Sequence, residues 1–125
     1  ILMFKLFVAE LDKNNLANKA NYSEFEISAK SSITLRLSAF TIYLLGTVHH
    51  LNINRSACIV FGGNDINASQ KATIHNIVNG TGITYNILNE TGKYNDIKIS
   101  NTSDYRAVLK VLTLGNTTSM PIIVN

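Results

Sequence analysis

Tyr22-Ser23-Glu24-Phe25-Glu26-Ile27-Ser28-Ala29, a polar break at Lys30-Ser31-Ser32, and Ile33-Thr34-Leu35-Arg36-Leu37-Ser38 alternate apolar and polar residues on both sides of the break. A period of two is the mark of half-buried strands rather than helices. Phe25, Ile27, Ala29, Ile33, Leu35 and Leu37 then face a core, with Glu24, Glu26, Thr34 and Arg36 outward, and the two segments read as a hairpin. Phe40 to Leu45 is apolar on both faces apart from Thr41, as expected of a central strand covered on both sides. Gly46 after it predicts a bulge or bend.

The same grammar continues downstream. Ala57-Cys58-Ile59-Val60-Phe61 is a short apolar run closed by Gly62-Gly63-Asn64-Asp65, and reads as another buried strand. Ala72 to Val78 and Ile83 to Leu88 flank Asn79-Gly80-Thr81-Gly82, a second expected hairpin. Tyr94 to Ser100 and Tyr105 to Leu114 supply two further strands, and Pro121 limits Ile122-Ile123-Val124 to an edge. About eight strands with regular turn signals predict an all-β chain, an antiparallel, jelly-roll-like β-sandwich. Two units are expected: a short N-terminal stem or connector over 1–21, whose helix or strand character the pattern leaves open, and a head over 22–125.

At 125 residues, 46% hydrophobic and 15% charged, the chain is long enough to bury a core without staples. Its one cysteine cannot form an internal bridge. The 11 basic and 8 acidic residues are scattered, unlike the footprint of a nucleic-acid binder. The longest stretch without charge, Leu37 to Asn54, contains hydroxyls, two histidines and an amide, so no membrane insertion is expected. Ile1 to Ala9 lacks a basic leader and reads as the cut end of a longer chain.

Amides and hydroxyls replace charge: 16 Asn, 11 Thr and 10 Ser. Seven asparagines, Asn21, Asn54, Asn67, Asn79, Asn89, Asn101 and Asn116, stand in Asn-x-Ser/Thr triplets, where composition alone gives roughly three. Turn chemistry in Asn-, Ser- and Thr-rich loops produces such triplets without glycosylation; a glycosylated ectodomain of a viral or eukaryotic surface protein is the alternative.

Few residues offer chemistry. His49 and His50 point to opposite faces of a regular strand and cannot share one ion there, even with His75 as a third ligand, so no metal site is expected. Glu24 and Glu26 share a face roughly 7 Å apart by the strand rise, superficially like a glycosidase pair, yet they read as a solvated outer face. Cys58 reads as a small buried hydrophobe. The glycine-rich turns lack the Lys-Ser/Thr and helix of a phosphate cradle. No nucleophile, base or cofactor motif emerges, so no catalytic residue and no cofactor are assigned. The candidate ligand-binding residues are Tyr94, Asn95 and Asp96, an aromatic, an amide and a carboxylate beside a glycine turn, because tyrosines stack on sugar rings.

Leu16-Ala17-Asn18-Lys19-Ala20-Asn21 resembles the junctions of bacteriophage tail-fibre stems. Phe25, Ile27-Ser28-Ala29 and Ser32-Ile33-Thr34-Leu35 resemble the first hairpin of the C-terminal β-heads of such receptor-binding proteins. Ile97-Lys98-Ile99-Ser100-Asn101-Thr102, followed by Tyr105 and Val108 to Leu114, is similar to their closing strands. The resemblance implies a homotrimer at the tip of a virion tail fibre, with the stem on the three-fold axis and a head that binds a bacterial surface glycan or protein without cleaving it. The chain departs from depolymerase spikes, which are long repetitive β-helices. The rival readings are an extracellular bacterial adhesin or a carbohydrate-binding module.

Overall fold

The computed structural model describes residues 20–39, 41–49, 55–62, 72–90, 93–115 and 119–125, with backbone alone for His49, Asn89 and Glu90. The expected strand at 57–61, His50, and the stem at 1–19 fare differently: the first lies within a described strand, while His50 and residues 1–19 lie outside the described residues. Ala20 and Asn21, assigned to the stem, already belong to the first strand.

Nine strands form two antiparallel sheets: β1 (Ala20–Ile27), β2 (Ser31–Ser38), β3 (Ile42–His49), β4 (Ser56–Phe61), β5 (Thr73–Val78), β6 (Ile83–Glu90), β7 (Tyr94–Asn101), β8 (Ala107–Leu114) and β9 (Ile122–Ile123). One sheet has the order β1-β8-β3-β4-β5 and the other β6-β7-β2-β9. The outer pairs nest, β1 with β8 and β2 with β7, as a jelly roll does, while β3-β4-β5 run as a meander. The fold is therefore the all-β sandwich that the alternation predicts, with β9 on an edge.

The core lies between the sheets. Ile27, Leu35, Leu37, Tyr43, Leu45, Cys58, Val60, Ile97, Ile99, Leu109 and Val111 are sealed from solvent. Two hydroxyl arrangements tie it. The Tyr43 hydroxyl accepts from Ser38 N at 2.7 Å and donates to the Ser119 carbonyl, fastening the C-terminal segment over the end of β2. Thr47, Ser56 and Tyr85 form a chain of hydroxyls at 2.6 and 2.7 Å that crosses from one sheet to the other.

Two expected hairpins are corrected. β1 and β2 belong to opposite sheets, and so do β5 and β6. Each connection is an arch: the chain crosses the core instead of pairing with itself. At the first, Lys30 adopts φ 57°, donates its backbone N–H to Ser103 O at 3.1 Å and its Nζ to Thr102 O at 2.8 Å, so contacts with the β7–β8 connection hold a conformation disfavoured for a side chain with a Cβ. At the second, a Cβ on Gly80 would stand 2.3 Å from Arg55 O, so the bare glycine lets this loop dock against the start of β4.

Gly46 is corrected too. The pairing of β3 with β8 and β4 runs unbroken through it, and the register shifts lie instead at Ala57/Cys58 and Ile87/Asn89. β3 is central in its sheet, as expected, but is covered on one face only: Ile42, Leu44 and Val48 are exposed on the other.

Burial pushes the Tyr85 phenol and the Cys58 thiol up to about 12 and raises Tyr43. The unfolded chain releases these protons near 9.0 and 10.0, so between those values and about 12 it binds fewer protons than the folded chain. Stability is then full below about pH 9 and falls as the pH rises toward 12. Thermal melts across this range, followed with phenolate absorbance, should show the late tyrosines ionising together with unfolding. Tyr85→Phe should cost about 1 kcal/mol at neutral pH and flatten part of the alkaline limb; a melting temperature constant to pH 12 would contradict the assignment.

Candidate functional site

The outer face of the four-stranded sheet is polar along β2 and β7, whose off-core positions are filled by Ser32, Thr34, Arg36 and Ser38 opposite Ser100, Lys98, Asp96 and Tyr94, while Leu88 and Ile122 are exposed on the flanking strands. β6 adds Thr84 and Asn86 beside Ser100 and Lys98. Within this face Arg36 and Asp96 sit directly across from each other. Arg36 Nε donates to Asp96 Oδ1 at 2.9 Å and Nη2 to Oδ2 at 3.1 Å, and the guanidinium carbon lies 3.8 Å above the centre of the Tyr94 ring. Fork-to-fork pairing and stacking on an aromatic face are both geometries that arginine meets and lysine does not. The Asp96 hydrogen bond raises the Arg36 pKa further, so the guanidinium stays charged at every working pH.

The three predicted ligand residues separate by strand parity. Tyr94 faces outward, half-buried beneath Arg36. Asp96 also faces outward but is 4% exposed, with both carboxylate oxygens engaged by Arg36. Asn95 turns into the core, and its Nδ2 has no hydrogen-bond partner among the described residues. The structure brings Tyr94 and Asp96 together with Arg36, which sequence reading did not include, and sends Asn95 to the other side of the sheet. The signal was present: Asn95 is two residues before the core residue Ile97, and Asp96 two before the outward Lys98.

A second polar recess was not anticipated. It is a cleft of about 210 Å³ at the open edge between β5 and β6, lined by Asn76, Asn79, Thr84 and Asn86 with Ser56 and Tyr85 at its base. A shallower depression of about 310 Å³ lies at one end of the sandwich between Lys30 and Thr102.

The remaining expectations fall as follows. Glu24 and Glu26 are exposed on the edge strand β1, Glu26 paired with Arg106 at 3.1 Å and Glu24 with Lys110 at 4.0 Å and with the Tyr22 hydroxyl. Asp104 pairs with Lys30 at 3.3 Å. Cys58 is fully buried. His75 is exposed on β5, and among the described residues no three of His, Cys, Asp and Glu converge. Of the Asn-x-Ser/Thr asparagines, Asn101 is 1% exposed and its Nδ2 donates to Ile27 O, Ser28 O and Tyr105 O at 3.2, 3.2 and 2.8 Å. A sugar on that nitrogen is incompatible with the folded chain.

No family model matches the chain, and no curated protein matches it. Among solved structures it is similar to the tailspike protein gp49 of Acinetobacter baumannii bacteriophage Fri1, described as a capsular polysaccharide depolymerase: TM-score 0.54 and 10% identity over 94% of this chain and 23% of that one. The tailspike protein of Acinetobacter phage vB_ApiP_P1 aligns with TM-score 0.41 and 12% identity over 83% of this chain and 22% of that one. The chain thus spans less than a quarter of either protein. The Fri1 match shows a sandwich fold found within a phage tailspike.

Proposed function

We propose that this chain is a receptor-binding module of a phage tail protein, acting as a homotrimer in the virion and binding a bacterial surface saccharide without cleaving it. The observation that carries the reading is the Tyr94–Arg36–Asp96 group on the polar sheet face. Asp96 and Tyr94 fix the guanidinium, so that a flat aromatic and cationic edge meets a sugar with little side-chain entropy left to lose. The tailspike fold likeness supports the setting. The reading without cleavage rests on the sequence, in which no convergent set of acid, base and nucleophile stands out. Depolymerase activity is a statement about the Fri1 protein, of which this fold is a minor part.

The test is a bacterial-glycan array followed by titration calorimetry with a retained saccharide. Tyr94→Ala, which removes the ring that holds the guanidinium flat, should weaken binding about fivefold, in line with about 1 kcal/mol for a cation on an aromatic face, and Lys98→Ala less. If Tyr94→Ala binds like the parent while Asn79→Ala or Asn86→Ala abolishes binding, the edge cleft is the site and the platform assignment falls. Release of reducing ends from the bound saccharide would overturn the non-enzymatic reading.

A further inference from the structure

The outer face of the five-stranded sheet is the opposite of the polar one. In register across the strands run a first row Leu114–Ile42–Phe61, a second Tyr22–Leu112–Leu44–Ile59, and a third Glu24–Lys110–Gly46–Ala57–Val78. Tyr22, Ile42, Leu44, Val48, Phe61 and Leu114 are between 38% and 54% exposed. Their exposed surface amounts to on the order of 600 Å², at the top of what a monomer ordinarily shows and approaching the roughly 800 Å² that each partner buries in a stable interface.

We infer that this face is where copies of the chain pack against one another; the inference rests on the homotrimer reading above and adds the surface that forms it. Three features select a second copy as the occupant. The area suits a protein interface. The acidic side chains of the face pair with basic ones, Glu24 with Lys110 at 4.0 Å and Glu26, in the row of Val48, with Arg106 at 3.1 Å, and Arg55 borders one hollow, so the face has no large charge of either sign with which to repel its own copy or to attract a polyanion. The relief is also complementary to itself. Gly46 and Ala57 leave two nearly apolar hollows of about 340 and 230 Å³ on either side of Lys110, and Leu44 and Val48 rise next to them on the same strand. With three copies turned about one axis, the ridge of each enters the hollow of the next, a heterologous contact that closes into a ring.

Light scattering coupled to size exclusion on the 125-residue chain, at micromolar concentration, tests this with two kinds of variant. Leu44→Lys places a charge on the ridge while its side chain stays outside the core. Gly46→Val fills the hollow: a Cβ there meets only Ser56 O, at an ordinary contact distance of 3.6 Å. The parent should run near three times 13.8 kDa, and both variants should shift at least tenfold toward monomer with unchanged circular dichroism. Lys98→Glu on the polar face should leave the mass unaltered. A trimer untouched by Leu44→Lys and Gly46→Val overturns the face but leaves the trimer standing. A monomeric parent overturns both, and one that then sediments with phosphatidylcholine vesicles reassigns the face to lipid.

Discussion

Replacing Arg36 with alanine should lower the melting temperature by about 5–10 °C, because the nearly buried Asp96 carboxylate loses two charge-assisted hydrogen bonds. Solvent reaching the guanidinium, 38% exposed, tempers the loss. The Asp96 side chain is 6% exposed, so without its partner the carboxylate stays dehydrated with its two strongest donors gone. Arg36→Lys should recover only part of the loss, because an ammonium cannot make two parallel bonds and lie flat on Tyr94. Replacing both partners by apolar residues of similar size, Arg36→Met with Asp96→Leu, should be far milder than either single change, since no charge is left unpaired. Differential scanning calorimetry of the four proteins decides it. An Arg36→Ala variant that melts within a degree or two of the parent would show that the pair contributes no net stability.

Asn101→Ala should cost about 3 kcal/mol or more. One side chain joins the β1–β2 arch to the β7–β8 connection at one end of the sandwich: Nδ2 donates to Ile27 O and Ser28 O in the arch and to Tyr105 O in the connection, and Oδ1 accepts from Ser103 N at 3.1 Å and Ser103 Oγ at 2.7 Å. Alanine takes a donor from the buried Ile27 carbonyl, at about 1–3 kcal/mol, and removes the weaker part-buried bonds to Ser28 O and to Tyr105 O, the latter still reached by the Ser103 hydroxyl at 2.9 Å. Asn101→Asp should be no better at neutral pH, because it turns a carboxylate toward carbonyl oxygens, and should improve in acid, where the protonated oxygen can donate once. Urea unfolding at neutral and acid pH separates the two. Equal stability of Asn101→Asp and the parent at pH 7 would refute the donor role.

Alternation made the strands legible, since a residue two positions from Leu35 or Ile97 had to share its side. What alternation does not encode is the partner. A hairpin and an arch both put Ile27 and Leu35 inward, and they differ in whether backbone hydrogen bonds join the two segments or separate them across a core. That choice was made by β8 and β7, some 60 to 90 positions away, and is invisible locally. The apolar outward residues of β3 showed that both sides of the strand want cover, but not that one chain covers only the inner side. At the candidate site, residue type singles out Tyr94 and Asp96, which share the outer face, whereas parity sends Asn95 to the core side. Arg36 is not legible locally because its tie to Asp96 spans 60 residues.

The strand order also dictates a sequence of events in time. β8 lies between β1 and β3, and β7 between β6 and β2, so each sheet is split until the last third of the chain has been made. Pairing Ala20 with Leu114 joins residues 94 positions apart, an arrangement associated with slow folding. During synthesis the strands made before β7 and β8 therefore wait without a finished sheet. The apolar side of β3 acquires its shape only after β8 arrives, which postpones any packing of copies on that side until β8 is in place.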